Sequence, residues 1–207
     1  SFDETVYMLE IPTDEEGKLR TGIHALEQWA AGMTLAQEEI EKERGVILEE
    51  RRQRQGARSR IREAQYPVLF KDSRYADRLP IGTEEVINGA DREDFVRFYN
   101  DWYRPELMAV VAVGDFDGNR VRALIQEYFS PLQNRENGPE RESYAIPDHE
   151  ETLFAPAADP EAQSTSVSLF NKREPSILNT VGDYRELLVD QLFSSMINTR
   201  FSEVTSD

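Results

Sequence analysis

Apolar and polar positions along this chain fall into two periodicities. Leu19, Ile23, Leu26 and Ala30 recur at helical spacing and predict a core-facing helix over Glu15 to Ala31, closed by Gly32. Thr34 to Tyr66 predicts one long helix. Thr34 is its N-cap, Glu38 and Glu39 lie where the helix dipole favours acids, and Pro67 stops the run. Thr83 and Asp91 read as caps of two further helices. The second, Arg92 to Trp102, carries a core stripe of Phe95, Val96, Phe98, Tyr99 and Trp102. Val121, Leu124, Ile125 and Phe129 mark the core side of a helix from Asn119 to Tyr128. Asp183 is expected to cap a last helix bearing Leu187, Leu188, Leu192 and Met196.

Strand patterns interrupt these helices. Ser1 to Ile11 alternates around Phe2, Val6 and Met8 and reads as a strand with no turn before it. Leu107 to Val113 (LMAVVAV) is apolar throughout, which predicts a central strand covered on both faces. Thr165 to Phe170 alternates again and reads as a strand entering a second domain. Between them, Pro131 to Pro160 is rich in prolines and charges and poor in aliphatic residues, as a connection between domains is. The expected class is α+β: an α/β sandwich with a mixed, largely antiparallel sheet and helices packed on it, incomplete, followed by the start of a similar domain. The expected boundaries are 1–133 for the first domain, 134–163 for the linker and 164–207 for the second.

Charge and composition narrow the function. A net charge of −16 argues against nucleic acid or an anionic membrane as partner. No run reaches the roughly 18 apolar residues of a membrane-spanning helix, and no signal peptide is visible. The absence of cysteine removes disulfides, thiolate metal sites and a cysteine nucleophile. Only two histidines occur, His24 and His149, far apart in sequence. His24 lies about 100° off the core stripe of its helix and is expected on the surface. His149 sits among acids in the proline-rich segment, a poorly preorganised place for a metal. Asp115 and Asp117 share a Gly-Asp turn of a common kind.

The long helix carries the most unusual arrangement. Glu43 and Glu50 are seven residues apart, so they fall within about 20° of one face, with Val46 and Ile47 between them. A carboxylate held against aliphatic side chains needs a cation, a metal or a hydrogen-bond donor. The spacing alone favours a solvated acidic helix laced with i,i+4 pairs such as Glu50–Arg54.

The stretch EKERGVILEE resembles the element that supplies the third zinc ligand in insulinase/pitrilysin-type zinc peptidases, the family with the inverted H-x-x-E-H motif. Arg78–Gly82 resembles that family's R-x-P-I-G segment. Trp102–Pro105 resembles W-Y-x-P, and Val113–Asp117 resembles V-G-D-x-D. The resemblance runs in order along the whole chain and is nearest to bacterial periplasmic zinc peptidases. It implies that Glu50 is a zinc ligand and that Glu43 supports it from behind. It further implies that 1–133 is the C-terminal part of a first peptidase domain and that 164–207 begins a second.

No H-x-x-E-H can be written in this sequence, and the family's histidines would precede Ser1 by roughly two dozen positions. A catalytic zinc needs three protein ligands and an open position, of which this chain offers one. The expectation is therefore a fragment of a zinc-dependent endopeptidase acting on peptides or small unfolded proteins. The fragment would be inactive alone, not hold Zn²⁺ by itself, and be periplasmic by resemblance, with open sheet edges through which two copies could dimerise. Two other readings stand: a non-catalytic scaffold half of the same family, and a self-contained acidic binding module.

Overall fold

The computed structural model describes residues 2–134, 138–173 and 177–205. The chain divides into two compact units, Ser1–Ser164 and Thr165–Asp207. The first holds α1 (Glu16–Ala31), α2 (Gln37–Arg54), α3 (Ala57–Leu69), α4 (Glu84–Gly89), α5 (Arg92–Trp102) and α6 (Gly118–Phe129); the second holds α7 (Val181–Thr205).

The α+β expectation is overturned: the described residues contain helices and no strand. A strand exists only as one side of a ladder, with a neighbour about 4.8 Å away to take its N–H and C=O groups. Met108 to Val113 has no such neighbour among the described residues, and Val113 is 92% exposed instead of sandwiched. Phe2 to Ile11 and Thr165 to Phe170 are likewise unpaired, with Val167 and Leu169 largely exposed. The sheet edges expected to support a dimer are thus not found among the described residues.

The helices follow the apolar pattern closely. Ile23 of α1 packs with Val121 and Leu124 of α6 to form the buried core, ringed by Leu19, Phe116, Ile125, Tyr128 and Phe129. Ile11 seats directly over Gly22, where a Cβ would stand 2.0 Å from its Cδ1, so any larger residue there would push the Ile11 side chain aside. Asp91 caps α5 reciprocally with Asp94, each side chain accepting from the other's backbone N–H. Tyr99 of α5 is buried, and its hydroxyl donates to Trp29 O at 3.0 Å, tying α5 to α1. Phe95 and Phe98, expected in the core, are exposed because nothing described covers that side of α5. The first turn of α7 is capped by Thr180, whose Oγ1 accepts from Asp183 N, while Asp183 accepts from Thr180 N. Asp183 is thus the reciprocal partner of the cap.

The long central helix is broken in two. Gln55 and Gly56 separate α2 from α3, and α3 runs through Pro67 to Leu69, where the sequence predicted a stop. At the other end the helix begins after Ala36, because Leu35 takes a left-handed φ of 45° that displaces Thr34 from the capping position.

The proline-rich segment is fastened along α3 in antiparallel order. Arg60 bridges Asp159 and Glu161, Gln65 donates to Ala155 O at 3.0 Å, and Lys71 pairs with Glu151 at 2.8 Å. Arg74 reaches Tyr144, and the buried Arg104 holds Pro139 O at 2.7 Å.

Candidate functional site

α2 is polar enough that its two sides are told apart by what they touch. One side is anchored: Ile40 is buried, Ile47 and Leu48 are partly buried, and Arg44 and Arg51 turn toward α4. The opposite side is an open hollow lined by Lys42, Gly45, Val46, Glu49, Glu50 and Gln53. A Cβ at Gly45 would meet nothing within 4 Å, so the open side is uncovered along its middle.

Glu43 and Glu50 lie on the border between these sides. Glu43 is exposed. The Glu50 side chain is 39% exposed, lines the hollow, and pairs with Arg54 at 2.5 Å, the intrahelical partner that the spacing also allows. Of the two aliphatic residues expected between them, Ile47 is partly buried, while Val46 is 54% exposed and faces the hollow.

The histidines are engaged elsewhere. His24 is exposed and stacks on Tyr128 with ring centroids 5.1 Å apart, while His149 Nδ1 lies 2.7 Å from Glu151 O in the fastened segment. Among the described residues no three His, Cys, Asp or Glu side chains come together to hold a metal ion. A carboxylate oxygen is a good zinc donor, so Glu50 fits one corner of a tetrahedral site; this chain does not complete the set.

Sequence reasoning overlooked the arginines. Arg44 donates to Ile87 O and, at 2.8 Å, to Ala90 O, while also meeting Glu41 at 3.1 Å. That bond to Arg44 pulls the Glu41 carboxyl below its ordinary pKa. Arg51 donates to Gly82 O at 2.9 Å. The signal was available: Arg44 and Arg51 repeat the seven-residue spacing of Glu43 and Glu50, offset by one position.

Residues 89–197 match the family described as "Peptidase M16 inactive domain". A zinc protease PQQL-like protein of Arabidopsis thaliana is 35% identical over 98% of this chain, which spans 21% of that relative. The crystal structure of the first half of the periplasmic protease PqqL from Escherichia coli superposes with a TM-score of 0.61 at 31% identity, over 68% of this chain and 30% of that one. The ferredoxin protease FusC, solved in complex with Arabidopsis ferredoxin, gives a TM-score of 0.60 at 33% identity, over 65% of this chain and 15% of that one. With more than half of its length matched, the chain belongs to the M16 peptidase family, the insulinase-type group, and carries no H-x-x-E-H motif of its own.

Proposed function

We propose that this chain is part of a zinc-dependent endopeptidase that hydrolyses peptides or small unfolded proteins, and that Glu50 contributes one metal ligand in the complete protein. The observation that carries the reading is the Glu50 carboxylate itself: it lies at the rim of the uncovered side of a helix whose other side is fastened. The cation it pairs with among the described residues is the largely exposed intrahelical Arg54, a weak partner that a metal ion can displace. Glu43, one heptad earlier on the same border, orients the ligand shell. When bound, zinc supplies a Lewis acid and activates water for attack on the scissile carbonyl. The imidazole ligands and the general base come from an H-x-x-E-H outside this chain, so the chain alone has no peptidase activity.

Related proteins named as zinc proteases support this reading, and the FusC complex with ferredoxin supports a protein as the substrate class. The likeness to PqqL, described as a periplasmic protease, supports a periplasmic location. Residues 1–133 then complete a first peptidase domain, 134–163 connect, and 164–207 begin the next. In the complete protein Glu50→Gln should lower zinc affinity by more than about a hundredfold, and Glu43→Gln by less, about ten- to a hundredfold. Undiminished zinc content and peptide hydrolysis in Glu50→Gln would remove the ligand assignment.

The match to the inactive domain favours a second reading, a scaffold half that walls a chamber for a catalytic partner. The coding sequence upstream of Ser1 separates the two: an H-x-x-E-H about 75 residues before Glu50 belongs to the enzyme, and its absence to the scaffold.

A further inference from the structure

We infer that Arg44 and Arg51 are positioning residues that set the rotation of α2 about its own axis, and with it the direction in which Glu43 and Glu50 face. This inference rests on the reading of Glu50 as a metal ligand.

The geometry is that of a two-point clamp. Seven residues turn a helix by about 700°, so Arg44 and Arg51 share a face, as Glu43 and Glu50 do, and the two faces differ by about 100°. Arg51 holds the carbonyl of Gly82, in the turn just before α4. Gly82 has a φ of 76°, a left-handed backbone suited to glycine, and that turn aims its carbonyl at the guanidinium. Arg44 holds the carbonyls of Ile87 and Ala90 at the other end of α4, where helix geometry leaves C=O groups without partners. The two arginines therefore grip both ends of one short antiparallel helix.

Apolar packing gives α2 little hold against rolling. Ile40, at the N-terminal end, is its one buried residue, Ile47 and Leu48 are only partly buried, and Val46 is exposed. Arg44, in contrast, keeps only 14% of its side chain exposed although it is charged. Arg52 and Arg54 of the same helix are 76% and 69% exposed, and among the described residues they pair with glutamates within α2. Arginine suits the task because one planar fork can satisfy two carbonyls at fixed angles, which a lysine ammonium does not reproduce. A helix otherwise free to roll is thus held with its carboxylates at the border of the open side.

The test uses the complete protein and two readouts. In the metal-free form, Arg44→Met should speed amide hydrogen exchange in α4, which reports the clamp without any metal. By competition with a chelator, Arg44→Met should weaken zinc binding about tenfold, and Arg51→Met, which loses one carbonyl, by less. Arg44→Lys should fall between wild type and Arg44→Met, which keeps the question open to measurement if the methionine variant folds poorly. Arg52→Met should bind zinc as wild type does. In a Glu50→Gln background, Arg44→Met should cost no further affinity, because the ligand it aims is gone. If Glu50→Gln loses zinc while Arg44→Met and Arg51→Met keep it, the positioning role is wrong and the ligand reading stands. If Glu50→Gln keeps zinc, the ligand reading fails and takes the positioning role with it.

Discussion

The α1–α6 pair and the α2–α4 pair each join two helices, but different forces hold them. Between α1 and α6 lie Ile23, Val121 and Leu124, all buried, with partly buried apolar side chains around them, while the Arg20–Glu127 pair lies at the exposed edge. Between α2 and α4 lie two guanidinium groups and three carbonyl oxygens. Apolar burial is strong but non-directional. Hydrogen bonds from a planar cation are weaker in total, yet they fix an angle. A helix that only fills a core can use the first kind of contact. A helix that must aim two carboxylates needs the second.

The largest effect should come from breaking the apolar pair. Leu124→Ala should cost about 2–5 kcal/mol in that region, seen in the complete protein as lost exchange protection in α1 and α6. Protection of α2 should change little; an equal loss there would mean that the two pairs share one core. A smaller effect is expected from the cap that orients α5. Asp91→Ala should cost about 1 kcal/mol and fray its first turn, with Tyr99 still bound to Trp29. The smallest concerns the segment fastened along α3. Arg60 holds the Asp159 carboxyl down to about pKa 2, and the Glu161 backbone N–H adds to this. A depressed folded pKa means that the folded state binds fewer protons than the unfolded one. The Asp159 contribution is therefore full above about pH 4 and is lost as pH falls toward 2. Arg60→Gln should remove most of that acid-dependent release of the segment, leaving the part due to the Glu161 N–H, measured by exchange of residues near Ala155.

Much of the helical fold was legible because local chemistry specified it. Asp91 followed by Asp94, the Leu19–Ile23 spacing and the Val121–Leu124–Ile125 stripe each state a helix within a dozen residues. Legibility failed where the outcome depends on partners distant in sequence. LMAVVAV reads as a buried strand, but a strand is completed by its neighbour, and none of the described residues supplies one. The break at Gln55–Gly56 and the passage of α3 through Pro67 were misread for a related reason: Ala155, Asp159 and Glu161 hold α3 from outside through Gln65 and Arg60, contacts distant in sequence that outweigh local propensity. At the candidate site, the carboxylate pair stood out by spacing and by family likeness. The arginines that hold the helix share that spacing, but it named no partner for them, since their carbonyl partners carry no side-chain signature.

The most direct test is a zinc-loaded crystal structure of the complete protein, with the metal located by anomalous scattering. A Glu50 oxygen at about 2.0–2.2 Å from the ion, with Arg54 released, is the predicted result. Zinc held without Glu50, its carboxylate still on Arg54, would contradict the account.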